Sequence, residues 1–309
     1  MANYLVTGGA GFIGSHLANA LLAKGHAVTV LDDLSTGHRH NLPPRARLVV
    51  GDIQDAPLVE RLMAAADGCF HLAAIASVQR SVEDWAGTHR VNLTGTINIL
   101  DAARARRVPV VYASSAAIYG DQVQFPIRET APRAPTTAYG ADKLGCELHA
   151  AVAGGFGVPT AGLRFFNVYG PRQDPRSPYS GVISIFADRL SRGLPITIFG
   201  DGNQVRDFVH VSDVVRHLVE AMRIASPQAP VFNVCTGQPT SIQALAGTLR
   251  ELLRAPSEIR WADARPGDIR ASLGCPKAAT AALGVAATVS IEDGLRNLLD
   301  ETGETRRAA

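Results

Sequence analysis

Short apolar runs alternate with amphipathic stretches through the first half of the chain. Tyr4–Thr7, Val28–Leu31, Leu48–Val50, Cys69–Leu72 and Val108–Ala113 are rich in Val, Leu or Tyr and bounded by Gly, Asp or Pro. Such runs, too short for helices and with no polar alternation, predict strands covered on both faces. Between them the period lengthens. Gly14–Lys24 carries Leu17, Leu21 and Leu22 at helical spacing and stops at Gly25, a C-cap candidate; Pro57–Ala66 and Val91–Arg107 follow the same logic. Strand and helix alternating at this spacing predict right-handed βαβ units around a parallel sheet.

The second half is less regular. Pro159–Phe166 reads as one more strand, and Gly170–Gly181, rich in Pro, Arg, Asp and Ser, as a loop. A helix over Val182–Arg192, a strand at Ile196–Phe199, a turn at Gly200–Asn203 and helices at Ser212–Ile224 and Ile242–Leu253 follow, with no internal repeat. The polar end, Glu301–Ala309, is expected to fray. The pattern shift near residue 166 suggests two domains, 1–166 and 167–309, with a short return into the first near 205–228.

Composition removes several classes. The 309 residues carry 30 Lys+Arg against 28 Asp+Glu, a net charge of +2, with no basic stripe of the kind that binds nucleic acid. No run approaches the ~18 apolar residues of a membrane span. The N-terminus enters a strand without a basic leader, so no signal peptide is expected. Cys69, Cys146, Cys235 and Cys275 are far apart and form no CxxC pair, which predicts reduced thiols in a cytoplasmic protein, with no disulfide framework and no metal site.

The chemistry is concentrated at strand ends. Gly8, Gly11 and Gly14, with Phe12 and Ile13 between them, follow the first strand and open the first helix. Such a turn admits a pyrophosphate to a helix N-terminus. Asp32 and Asp33 end the second strand, where a carboxylate accepts from ribose hydroxyls and repels a 2′-phosphate, favouring NAD over NADP; capping of a turn is the plainer use. Asp52-Ile53 follows the third strand, with a carboxylate and an amide suited to an adenine edge, although Asp52 alone reads as a helix N-cap. Ser114-Ser115 closes the strand at the sheet's ligand-facing end. Tyr139 and Lys143, at i and i+4, share a helix face. A lysine ammonium and a nicotinamide cation favour the phenolate, so Tyr139 is a base candidate, with Ser115 holding the substrate oxygen.

In this order the motifs resemble those of extended short-chain dehydrogenases/reductases of the nucleotide-sugar epimerase/dehydratase family, and among them the UDP-hexose 4-epimerases. The resemblance runs over residues 2–300. It rests on Gly8–Gly14, Asp52-Ile53, His71–Ala74, Val91-Asn92, Ser114–Gly120, Tyr139–Lys143, Arg164–Gly170, Gly200–His210 and Arg265–Asp268. It implies an α/β fold, a Rossmann-like doubly wound parallel sheet with a smaller α/β C-terminal substrate-binding domain. It also implies tightly held NAD, a UDP-sugar substrate and a homodimer built on Val91–Arg107 and the Tyr139 helix.

By the same resemblance Leu72, Ala73, Ala74, Asn92, Ser114 and Phe166 join the cofactor set. Asn167, Arg206 and Arg265 face the diphosphate, Asp268 a ribose hydroxyl, and Val182, Ile183 and Phe199 the uracil. Ser115 matches the catalytic serine, with Ser114 as the fallback. Tyr139 would take the sugar 4-hydroxyl proton on the way to a 4-keto sugar. Ala116 and Ala117 stand where the family's dehydratases carry an acidic residue, which disfavours water elimination. Ser272 stands where glucose/galactose-only epimerases carry tyrosine, and the Arg172–Pro175 loop resembles that of epimerases preferring N-acetylated sugars, so UDP-GlcNAc/UDP-GalNAc is the expected pair and UDP-Glc/UDP-Gal a second. Ala76 departs from the lysine common in bacterial galactose epimerases. A net NAD-dependent dehydrogenase is the alternative, and a dinucleotide-binding regulator fits the Tyr/Lys pair poorly.

Overall fold

The structure, a computed structural model, describes residues 1–175, 181–264 and 269–308, with side chains as far as Glu301. Its first part runs β1 (Asn3–Thr7), α1 (Phe12–Ala23), β2 (Ala27–Asp32), β3 (Arg47–Val50), α2 (Ala56–Ala64), β4 (Gly68–His71), α3 (Val78–Glu83), α4 (Trp85–His89), α5 (Gly95–Arg104), β5 (Val110–Ser115), α6 (Ala138–Gly155) and β6 (Thr160–Phe165). Then follow β7 (Asn167–Tyr169), α7 (Val182–Ser191), β8 (Ile196–Phe199), β9 (Val205–His210), α8 (Val211–Ile224), β10 (Val231–Val234) and β11 (Pro239–Ser241). The chain ends with α9 (Ile242–Leu253), β12 (Ile259–Ala262), β13 (Ala271–Ser272), α10 (Lys277–Leu283) and α11 (Ile291–Ala308).

Seven parallel strands form the main sheet in the order β3-β2-β1-β4-β5-β6-β10. The order reverses between β1 and β4, and a crevice opens at the carboxyl ends on either side of such a reversal. Alternation along the strands explains the unbroken apolar runs. Leu5, Leu31 and Val110 point into a cluster with Val59, Ile99 and Ala150, while Val6, Val30 and Val111 point into the opposite one with Leu17, Phe70 and Leu218.

A second unit packs α7, α9 and α11 around Ile183, Phe186, Leu245, Leu249 and Leu295. Its small sheet centres on β9, paired parallel to β7 and β13 and antiparallel to β11; β8 pairs with β12.

The structure differs from the sequence expectations in four places. The return into the first unit comprises α8 and β10, Val211 to Val234, because β10 pairs with β6, whereas β9 stays in the second unit. The helix expected over Val91–Arg107 holds a π-turn at Arg90–Thr94 before α5. The end expected to fray continues α11 to Ala308. Asp55, not Asp52, caps α2, accepting from the Leu58 amide at 3.1 Å. No helix among the described residues is long and apolar enough to cross a membrane, and all four cysteines are buried and free.

Candidate active site

A cleft of about 650 Å³ lies along the carboxyl ends of the central strands and reaches the start of the second unit. The β1–α1 turn forms its floor. Gly8 has φ of 67°, and a Cβ there would stand 2.7 Å from the backbone of Ala73; a Cβ on Gly14 would strike the carbonyl of Gly8. Only glycine lets this turn close against the neighbouring loop. Gly11 sits at the N-cap of α1, with no side-chain cap and no acidic residue in the first turn. The first amides of α1 are thus left for an anion.

Beside it, the buried Asp32 carboxylate accepts from the amides of Ala10 and Leu34, each at 2.9 Å, while burial pushes its carboxyl above the usual range. Asp33 is engaged by Ser35, and Asp52 accepts from the Gln54 amide at 2.8 Å, a local turn. All three acidic residues line the cleft, as do Phe12, Ile13, Ile53, Leu72, Ala73, Ala74 and Phe166.

Asn92 does not line it. Its amide accepts from the Ile75 N–H at 2.8 Å and donates to the Ile75 carbonyl at 3.1 Å, so it fixes the loop after β4 from behind. His71 braces the same loop. The Thr96 hydroxyl donates to the Asn92 carbonyl, so its oxygen accepts from His71 Nε2 at 2.9 Å, and Nδ1 takes the Thr7 hydroxyl at 2.8 Å. Burial lowers the His71 pKa to about 3 and keeps the ring neutral.

Both serines line the cleft, with different partners. The Ser115 hydroxyl, at the end of β5, accepts from the Ala117 amide at 3.1 Å. Ser114 alternates to the other strand face and donates its hydroxyl to Glu147 at 2.6 Å. Tyr139 and Lys143 lie in the first two turns of α6, capped by Thr137, and both line the cleft. The Lys143 ammonium is 5.9 Å from the Tyr139 ring centroid and donates to the Ala113 carbonyl at 2.9 Å. The Tyr139 amide donates to Ser81 on α3 at 3.2 Å.

At the other end Asn167, Val168, Gln173 and Gly181 line the cleft. Val182, Ile183, Phe199, Arg206 and Ser272 do not; they belong to the second unit on α7, β8, β9 and β13. Ile183 departs from its expected place against a base, since its side chain is 1% exposed in the core of that unit. Ser272 pairs with Arg206 across the β13–β9 register. Arg172 reaches the Asn41 carbonyl at 3.3 Å, away from the cleft. Arg265 and Asp268 lie outside the described residues.

Three residues that bear on the site escaped the sequence reading. Buried Asp207, next to Arg206, accepts from Thr236, Gly237 and Gly274 and ties β9 to two loops. Gln173 enters the cleft wall, and Glu147 pairs with Ser114. For Glu147 a signal existed: it follows Lys143 at i+4 on the same helix face.

The family model for the NAD-dependent epimerase/dehydratase family matches residues 4–235. The chain belongs to this family. The UDP-glucose 4-epimerase of Mycolicibacterium smegmatis is 38% identical over 305 residues, 96% of this chain and 97% of that one. The Thermotoga maritima UDP-glucose 4-epimerase, solved with UDP-glucose, superimposes with a TM-score of 0.94 at 38% identity, over 98% of this chain and 99% of that one. A UDP-N-acetylglucosamine 4-epimerase from Methanobrevibacter ruminantium, solved with UDP-N-acetylmuramic acid, gives 0.93 at 32% identity, over 98% and 99%.

The family's cofactor is NAD, and the cleft suits it. The glycine cradle and the uncapped α1 offer amides to a pyrophosphate, and Asp32 at the end of β2 suits a ribose without a 2′-phosphate.

Proposed function

We propose that the chain is a UDP-sugar 4-epimerase acting on UDP-GlcNAc/UDP-GalNAc, with UDP-Glc/UDP-Gal as a second pair. The observation that carries the reading is the convergence of Tyr139, Lys143 and Ser115 on the cleft that also holds the glycine turn. Gly8, Gly11, Gly14, Asp32, Asp52 and the loop Leu72–Ala74 would hold NAD, which would supply a reversible acceptor for the sugar C4 hydride. Tyr139 removes the 4-hydroxyl proton and returns it to the 4-oxygen once C4 has been reduced from the opposite face. Lys143, its ammonium 5.9 Å from the centre of the Tyr139 ring, holds a positive charge beside the proton-transfer site. Ser115 donates to the 4-oxygen and orients it. Asn167 in the cleft wall holds the diphosphate, aided by Arg206 and Arg265, while Asp268 binds ribose and Val182 and Phe199 flank the uracil. The 4-keto sugar turns about its diphosphate between the two transfers, so the reaction inverts C4 without net redox. Ala116 and Ala117 supply no acid for water elimination.

We assign Ser272, a small residue on β13, to the side of the sugar C2 substituent, where it would leave space for an N-acetyl group. The protein works as a homodimer through α5 and α6. Leu148, Val152 and Phe156, one turn apart along α6 and its end, are 55%, 58% and 59% exposed, an apolar stripe that a second copy would cover. Incubation with UDP-GlcNAc and with UDP-Glc, without added NAD and with products resolved by NMR, tests the reading. The 4-epimer of each is expected, and no epimer from either overturns it.

A further inference from the structure

The charged network behind the cleft has no part in the mechanism above. Glu147, 5% exposed, receives the Arg164 guanidinium as a bidentate pair at 2.9 and 2.8 Å, together with the Ser114 hydroxyl at 2.6 Å. Arg164 also donates to the Tyr119 hydroxyl at 2.7 Å and the Glu129 carbonyl at 3.0 Å, and the Tyr119 hydroxyl donates to the Asn233 side-chain carbonyl on β10 at 2.7 Å. Burying such a pair costs desolvation that its attraction roughly offsets, so stability alone is a weak reason for it.

Its placement is more telling. Tyr139, Lys143 and Glu147 follow one another at i, i+4 and i+8 on one side of α6. Lys143 bonds to the carbonyl of Ala113 and Glu147 to the hydroxyl of Ser114, so two successive turns of α6 are each tied to the end of β5. The next residue of β5 is Ser115, and the previous turn of α6 carries Tyr139. Two side-chain bonds therefore set how far α6 stands along β5, and with it where the phenol stands against the Ser115 hydroxyl. Arg164 holds the Glu147 carboxylate from β6, so that it presents one oxygen to Ser114 in one geometry.

We propose that Ser114 and Glu147 are positioning residues that index the catalytic helix on β5, with Arg164 as their support. The proposal rests on the epimerase reading for its kinetic arm only.

Ser114→Ala is the test, because it leaves the Glu147–Arg164 pair intact and so retains the fold. Assayed with NAD saturating, the holoprotein variant is expected to keep its melting temperature within a few degrees. Its kcat falls about tenfold at an unchanged KM, as a sub-ångström misplacement of reacting groups predicts. With ring-labelled tyrosine, the Tyr139 ¹³Cζ signal moves from its wild-type position, a readout that needs no substrate. Glu147→Gln retains an acceptor for Ser114 and is expected to lose less kcat than Glu147→Ala at equal NAD content. A Ser114→Ala protein with wild-type kcat and an unmoved Tyr139 signal overturns the proposal, whatever its melting temperature. A wild-type chain that forms no 4-epimer overturns the epimerase reading instead, and the Tyr139 signal then decides the indexing by itself.

Discussion

Single side chains carry the sharpest tests of the reaction. Replacing Tyr139 by Phe removes the only group in the cleft wall assigned to take the proton and leaves the ring to pack as before. Turnover is expected to fall by at least about 10³-fold, the upper part of the range for losing a general base, while bound NAD remains. Retained turnover would assign the base elsewhere. If Ser272 stands beside the C2 substituent as proposed, Ser272→Tyr is expected to lose N-acetylated substrates and keep UDP-Glc/UDP-Gal; equal loss for both pairs would refute the steric argument. At this scale the sequence displayed residue types more clearly than directions. The pair Ser114-Ser115 was legible, but only strand alternation, with Glu147 waiting on one face, separates their roles. Asn92 and Ile183 sit in matching motifs, yet one turns to the Ile75 backbone and the other into a core, because side-chain direction depends on what packs beyond the motif.

Elements were legible where their signal was local. Helix α9 spans Ile242–Leu253, the range its periodicity predicts, and the β1–α1 turn falls on its three glycines. Strand β10 was not foreseen. Its four residues follow a turn containing Pro227 and Pro230, and nothing nearby marks them as the edge of a sheet whose neighbour, β6, lies some 70 residues earlier. The π-turn at Arg90–Thr94 was equally silent, since Arg-Val-Asn-Leu-Thr contains no Gly or Pro to mark a break in the helix. The glycine turn makes its own prediction. At Gly8 an alanine would need a left-handed backbone, costing about 1–3 kcal/mol, and would press its Cβ on Ala73. Gly8→Ala is expected to lower the urea midpoint and strip bound NAD together, whereas Gly25→Ala, with φ of 81° but open space around the Cβ, should lower stability and keep NAD. Equal NAD retention in both would show that close approach to the Ala73 loop is not what the cofactor needs.

Across the whole molecule, buried histidines tie global stability to pH, with His16, His71, His210 and His217 all lowered by burial. His71 joins β1, β4 and α5 at the reversal of strand order, hydrogen-bonded on both ring nitrogens by threonines. Folded, it stays neutral down to about pH 3, because burial disfavours the cation. Unfolded, it binds a proton near the ordinary value of about 6.5. Between those values the unfolded chain holds the extra proton, so stability is complete above about pH 6.5 and falls as pH drops toward 3. His16, lowered to about 4 by burial although its bond to the Pro171 carbonyl works the other way, acts in the same direction. Asp32, whose carboxyl is raised, acts in the opposite one and offsets part of the loss. The histidines outweigh it if denaturation midpoints decline steadily from pH 6.5 to 5. His71→Gln should be less stable than wild type at pH 7.5, having lost a matched pair of bonds, yet show a shallower decline over that interval. An unchanged slope would mean that protonation of other groups governs acid stability.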